Sequence, residues 1–235
     1  MANYKTNIAS IRSALKNFWR TKLSVGACFN RSKPDVWEYS KSFVSPLSDD
    51  EVLENYPQFS DCLASWRNLA NLIEYGGSVA WLVKQGFTLK EHAPKAGPCW
   101  KKLRYLQSWN FEDVPTENCL TFWVPRLAID STRQNIEQMK AHRAELKSCY
   151  SLPENHATSF GSIQLLFALI LAYYIHTGER KPSDYFYTVS DTKVANHVLL
   201  IAGSFIHCLV CNSWVDNGPG DYNVGFFLLG VEKLQ

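Results

Sequence analysis

The chain has 235 residues, of which 46% are hydrophobic and 14% aromatic, and its formal net charge is +2. This composition is that of a globular protein with a core, and it excludes a disordered or collagen-like chain. Seven cysteines at irregular spacing, without a signal-peptide pattern, favour reduced thiols in a cytoplasmic protein. The longest apolar run, Ile163 to Ile175, is well short of the about 18 residues that cross a bilayer.

Basic residues are concentrated at the start of the sequence. The first 34 residues contain seven of the 24 Lys and Arg residues and none of the 22 acids. Apolar residues recur at helical spacing over residues 6–23, which predicts a basic amphipathic helix. Such a helix could bind nucleic acid or an anionic membrane surface, with polyanion binding over residues 5–33 depending steeply on salt, or it could resemble a transit peptide. Alternatively, it packs its apolar side on the core with its basic side in water.

Helices dominate the prediction up to about residue 150. Ser48 and Glu51 have the spacing of a capping box, and Ser60 begins a second helix with an apolar face. Residues 119–124 are predicted to form a short strand that ends at Pro125. A polar helix capped by Asp130 and Ser131 is predicted to continue to about residue 148.

The remaining residues predict a helix followed by an antiparallel sheet. The helix is Ser159 to Ile175, and apolar, β-branched runs predict strands over 194–202, 205–211 and 223–231. A tight turn at Gly203 would make the first two strands antiparallel neighbours. We therefore expect an α+β protein with a mainly helical part over 1–150 and a helix packed on a small antiparallel sheet over 151–235, as two parts or as one continuous domain.

A histidine and an asparagine are predicted to lie on neighbouring strands of this sheet. His197 falls inside the first predicted strand, and Asn212-Ser213-Trp214 ends the second. If the strands turn back at Gly203, the imidazole and the Asn212 amide can lie side by side. A side-chain amide in that position would hold the histidine in a fixed orientation.

Cys99 is the main candidate for a reactive thiol. It follows a turn-rich loop over 91–98 and precedes a predicted helix over 100–109, so backbone N–H groups and the helix dipole would lower its pKa. Nearby lysines would act in the same direction. Cys62 is a rival, although the neighbouring Asp61 would raise its pKa, and Cys28 is a third choice.

The order of Cys99, His197 and the Asn212-Ser213-Trp214 stretch resembles the papain-like cysteine hydrolase superfamily. The resemblance implies that Cys99 attacks the substrate, His197 acts as base, Asn212 orients the imidazole and Trp214 shields their hydrogen bond from water. It also implies a papain-like arrangement of helix and sheet. The amide that the family places just before its cysteine is missing here, and Gln85 is the nearest candidate for the oxyanion donor.

A second resemblance concerns the apolar helix. A helix such as Ser159 to Ile175, with His197 following it in sequence, resembles the transglutaminase-like core, whose cysteine precedes its helix. This chain has Ser159 and Ser162 at those positions and no thiol. That resemblance implies a non-catalytic relative or a serine variant.

Two functions follow as expectations. The first is a cysteine-dependent hydrolase or acyl transferase, such as a protease or amidase, that acts on a peptide or side-chain amide without a cofactor or metal. The second is a non-catalytic inhibitor or adaptor that binds another protein. The enzyme requires a thiol within hydrogen-bond reach of His197, whereas the adaptor predicts that Cys99 and His197 lie far apart and that Asn212 bonds only to backbone.

Overall fold

A computed structural model describes residues 42–99, 110–183, 185–205, 208–216, 218 and 220–234. The basic helix predicted over 6–23, the rival cysteine Cys28 and the helix predicted over 100–109 lie outside the described residues.

The described residues form both helices and strands. The helices are α1 (Asp49–Asn55), α2 (Ser60–Leu72), α3 (Ala93–Ala96), α4 (Ile136–Cys149) and α5 (Ile163–Thr177), with 3-10 turns at Pro57–Phe59 and Asn110–Asp113. The strands are β1 (Val44–Leu47), β2 (Ala80–Val83), β3 (Cys119–Leu127), β4 (Tyr187–Ala195), β5 (Val198–Gly203), β6 (Val210–Val215), β7 (Val224–Gly225) and β8 (Phe227–Lys233). This mixture of helix and sheet agrees with the expected α+β class.

The strands build two four-stranded sheets. The first has the order β1-β2-β3-β8 and the second the order β6-β5-β4-β7. All neighbours are antiparallel except β4 and β7, which pair in parallel over two residues. The strand predicted over 223–231 is in fact divided, because β7 and β8 belong to different sheets and only Phe226 lies between them.

The first sheet contains strands from both halves of the chain. β3 pairs with β8 from Cys119 opposite Lys233 to Leu127 opposite Phe227. The parts predicted over 1–150 and 151–235 therefore share a sheet. β3 also continues past Pro125, where we expected it to end, because a register irregularity between Trp123 and Leu127 accommodates the missing N–H of the proline.

Helix α5 lies against both sheets. Every residue from Ile163 to Ile175 is buried, and the helix contacts β1 and β2 of one sheet and β4 and β5 of the other. Because it is covered all round, its sequence is apolar on every face. The Ser162 side chain caps its start by accepting a hydrogen bond from the Leu165 N–H at 3.2 Å, and Gly178 ends it in the left-handed conformation.

Local capping signals were correct for one helix and misplaced for another. Ser48 and Glu51 form the expected capping box at α1. At α4 the cap is Asn135, in a box with Gln138, and the predicted caps Asp130 and Ser131 lie in the preceding loop. Asp130 has a φ of 53°, which a helix cannot contain, and the buried Ser131 hydroxyl accepts the Phe226 N–H instead.

The cysteines are not all reduced in this structure. Free thiols are found at Cys62, Cys99, Cys119, Cys149 and Cys211. Cys208 is disulfide-bonded, so the expectation of reduced thiols throughout is wrong at this residue.

Candidate functional site

His197 lies in a turn and not inside a strand as predicted. Residues 194–202 contain the end of β4, the two-residue turn Asn196-His197 and most of β5. The φ of His197 is 58°, a left-handed conformation that costs a residue other than glycine about 1 kcal/mol. The turn places the imidazole at the surface, where 64% of its side chain is exposed.

An aspartate, not the predicted asparagine, holds this imidazole. Val198 pairs with Val215, so His197 and Asp216 face each other one residue beyond the ends of the two strands. The His197 Nδ1 and Asp216 Oδ1 atoms are 3.0 Å apart, and the Asp216 N–H donates to the His197 carbonyl at 2.9 Å. The Asp216 carboxylate is only 11% exposed and holds the Nδ1 side of the ring in place. The Nε2 atom of His197, on the other side of the ring, therefore faces solvent.

Asn212 lies elsewhere on β6. It pairs with Ile201, four positions further along β5 than His197, and its side-chain oxygen accepts the Ser213 backbone N–H at 2.9 Å. Trp214 is 8% exposed and packs in the core opposite Leu199. The structure therefore does not bring the Asn212 amide to the imidazole.

Cys99 and His197 lie at opposite ends of the second sheet. Cys99 is fully buried and forms a parallel bridge with Leu209, whose N–H donates to the Pro98 carbonyl at 2.7 Å. Leu209 precedes β6 and Asp216 follows it, so extended chain of about 3.3 Å per residue separates the two sites by roughly 20 Å. The thiol and the imidazole are far beyond hydrogen-bond reach.

Gln85 forms no hydrogen bond with Cys99 among those found for its backbone. It follows β2 in the first sheet and is exposed, and its backbone N–H donates to the Asn118 side chain at 2.8 Å.

Of the two serine positions that the transglutaminase-like resemblance singles out, Ser162 has a structural role, because its hydroxyl caps α5. The Asp191 carboxylate accepts the Phe160 N–H at 2.7 Å and the Gly161 N–H at 3.1 Å in the same segment.

The rival Cys62 lies beside a carboxylate. Its Sγ atom is 3.8 Å from the Glu232 Oε1 atom. Burial, followed by the Glu232 charge and hydrogen bond, raises the pKa of the thiol to about 11. Cys62 is therefore a protonated thiol at neutral pH and a poor nucleophile.

A buried histidine that the sequence did not single out connects three distant segments. His156 is fully buried, and its Nδ1 atom accepts the Trp66 indole N–H at 2.8 Å. Its Nε2 atom is 2.9 Å from Glu232 Oε1, which also accepts the Asn155 side-chain amide at 2.7 Å. Because an indole N–H can only donate, Nδ1 must be unprotonated and Nε2 must carry the proton that Glu232 accepts.

These hydrogen bonds argue against a metal site at the same cluster. Cys62, His156 and Glu232 each present a possible ligand atom, and the three atoms lie within 4.8 Å of one another. A metal would need the lone pair of one imidazole nitrogen, but Trp66 occupies the lone pair of Nδ1 and Nε2 carries a proton. The donor set fits a hydrogen-bonded network and not a metal centre.

The buried histidine predicts a pH dependence of stability. Burial lowers the pKa of His156, an effect that the Glu232 hydrogen bond opposes and Lys147 reinforces. An unfolded histidine takes up its proton near pH 6.5, so at lower pH the unfolded state binds a proton that the folded state does not. We expect the free energy of unfolding to fall between about pH 7 and pH 5, by at most about 1.4 kcal/mol per pH unit.

This dependence can be measured by urea unfolding at several pH values, compared with His156→Gln. The comparison is needed because burial also lowers the pKa of His92. Cys62, with its raised pKa, keeps its proton throughout this range. If the slope of stability against pH is unchanged in the variant, His156 is not its source.

Two depressions are lined by residues at the end of β6. The first, called the His197 pocket, has a volume of about 360 Å³ and is lined by Ile136, Glu137, Lys140, Lys193, Asn196, His197 and Asp216. The second, called the Tyr222 groove, has a volume of about 690 Å³ and is lined by Arg133, Ser213, Trp214, Val215, Gly218, Gly220, Asp221 and Tyr222. The two linings share no residue, and along the chain they meet at Val215 and Asp216, which are consecutive.

The sequence contains a signal for the turn that carries His197, although the prediction placed this residue inside a strand. Asn196-His197 begins with a residue that favours turns, and a two-residue turn there places His197 just before β5, where the pairing of Val198 with Val215 brings Asp216 beside it. The lysines of the pocket carry no local signal, because they come from α4 and β4, which are distant in sequence.

Comparison of the chain with protein-family models, with curated proteins and with solved structures finds no match. Among the described residues, no helix is both long enough and apolar enough to cross a membrane.

Proposed function

We propose that this chain is a non-catalytic binding protein whose binding face is the surface formed by the His197 pocket and the Tyr222 groove. The separation of Cys99 from His197 carries the proposal. A thiol that attacks an amide needs a base within hydrogen-bond reach and access to substrate. Cys99 is fully buried at the other end of the sheet from the imidazole.

The composition of the surface supports binding. Tyr222 is 70% exposed and Val215 is 53% exposed, and both line the groove beside Arg133. Tyrosine and arginine are among the residues that contribute most to binding energy in interfaces. Arg133 and His197 both adopt left-handed backbone conformations, with φ values of 62° and 58°, and strained residues of this kind are concentrated at ligand sites.

Alkylation tests the absence of a reactive thiol. We expect iodoacetamide at mildly acidic pH to label the exposed Cys149 first and Cys99 slowly, since Cys99 is buried. Cys62 should also react slowly because its pKa is raised to about 11. Mass spectrometry of the labelled peptides gives the rate at each cysteine, and His197→Ala should leave the Cys99 rate unchanged.

The same experiment can contradict the proposal. Rapid labelling of Cys99 that collapses in His197→Ala would establish a thiol and imidazole pair. That result would support the papain-like hydrolase in place of the binding protein, and amide substrates would then be tested.

A further inference from the structure

The most specific chemistry on the proposed binding face lies in the His197 pocket. Building on the proposed binding role, we infer that this pocket binds the phosphate group of a small organic phosphate monoester, whose apolar part lies in the Tyr222 groove. Three features of the pocket support this ligand: an ammonium group without an ion-pair partner among the described residues, an imidazole nitrogen that faces solvent, and apolar side chains nearby.

Most charged groups of the pocket are already bonded to a neighbour, although the Asp216 carboxylate keeps its charge when the His197 ring is neutral. Lys140 pairs with Glu137 at 2.7 Å, and the nearly buried Asp216 carboxylate is bonded to His197. The exposed Lys193 on β4 lines the pocket and forms no ion pair with any residue that the structure describes. A ligand therefore meets one unpaired ammonium group together with the Nε2 atom of His197, and the ammonium favours an anion.

The imidazole distinguishes phosphate from other anions. With Nδ1 turned to Asp216, the Nε2 atom accepts a hydrogen bond when the ring is neutral and donates one when the ring is protonated. A phosphate monoester has a second pKa of about 6, so near neutral pH it can likewise donate or accept. The imidazole and the phosphate can therefore share one proton with either group as the donor. A carboxylate at this pH can only accept a hydrogen bond.

The dimensions of the two depressions fit a small organic molecule. The pocket volume of about 360 Å³ is at the lower end of the about 300–1,000 Å³ that is usual for ligand sites. The groove begins at the next residue of the chain and offers the exposed side chains of Val215 and Tyr222 to an apolar or aromatic group. Phenyl phosphate combines the two chemistries and is the probe of choice.

Isothermal titration calorimetry with phenyl phosphate tests the inference on the full chain. We expect saturable binding in the millimolar range or tighter, and Lys193→Gln should weaken it by about tenfold or more because a hydrogen bond from a charged group is lost. Lys233→Gln is the matched control, since Lys233 is an exposed lysine that pairs with Glu117 on the first sheet. Inorganic phosphate should bind more weakly than phenyl phosphate because it cannot occupy the groove.

A pH series tests the shared proton. Affinity for phenyl phosphate should fall as the pH is raised from about 6.5 to about 8.5, because the phosphate, whose second pKa is about 6, has less and less proton to share with the imidazole. His197→Gln should remove most of this dependence, because a glutamine side chain cannot exchange a proton with the phosphate. Circular dichroism confirms that each variant is folded.

Three results would overturn the inference: no saturable binding of phenyl phosphate, equal weakening by Lys193→Gln and Lys233→Gln, or binding of benzoate as tight as that of phenyl phosphate. None of them would bear on thiol reactivity, which the alkylation experiment measures separately. Conversely, a reactive Cys99 would refute the non-catalytic role without changing the phosphate titrations.

Discussion

Replacement of His156 by alanine should lower the free energy of unfolding by about 3–5 kcal/mol. The ring is fully buried among Trp66 and Phe122, with centroids 6.1 and 5.4 Å away, so its removal leaves a cavity. The same change deprives the Trp66 indole N–H of its acceptor and Glu232 of a donor, and an unsatisfied buried donor costs about 1–3 kcal/mol.

Urea unfolding followed by tryptophan fluorescence measures this loss as a lower urea concentration at the midpoint of unfolding. The slope of the free energy of unfolding against urea concentration should not change. His197→Ala is the matched control, because the His197 side chain is 64% exposed and its removal leaves no cavity in the core. In Trp66→Phe the indole donor is absent, so the combined variant Trp66→Phe, His156→Ala should be less destabilised than the sum of the single changes. Strict additivity would show that the two side chains are not coupled.

Replacement of Leu169 by alanine should destabilise the fold by about 3–5 kcal/mol. Leu169 is fully buried in the middle of α5, the helix that contacts both sheets. Because surrounding strands and helix turns cover it on every side, little can move to fill the space that the missing methyl groups leave. The cost therefore includes the lost transfer free energy of the side chain and the cavity.

Leu72→Ala provides a control with the same chemical change. Leu72 also lies in a helix, α2, but it is 70% exposed, so the expected change is within about 0.5 kcal/mol. Thermal or urea unfolding of both variants measures the difference directly. Similar midpoints for the two would mean that α5 is not enclosed between the sheets.

Features that depend on nearby residues could be predicted from the sequence. The capping box of Ser48 and Glu51 involves residues three apart, and the apolar run of α5 marks a helix covered on all sides. Strand register is different, because it depends on where a turn begins, and a change of one residue moves every side chain to the other face. For this reason the prediction paired His197 with Asn212, while the structure pairs it with Asp216.

The network around His156 could not be predicted for another reason. His156 lies in a loop three residues after Pro153, and its partners Trp66 and Glu232 lie 90 and 76 residues away in the chain. Neither partner belongs to a sequence motif, and a tryptophan in a helix or a glutamate in a strand gives no sign of a special role. Only the assembled sheet, in which β8 carries Glu232 past the start of α2, brings the three together.

The pairing of β3 with β8 has a consequence for the order in which the chain can fold during synthesis. Until the ribosome has made β8, β3 has only β2 beside it, and one edge of the first sheet is exposed. The second sheet, except for the short β7, and α5 are synthesised earlier, whereas the contact between Glu232 and His156 must wait until β8 has been made. The nascent protein therefore carries β3 with one unpaired edge while the residues from α4 to β7 are synthesised, and long-range pairing of this kind is slow to form.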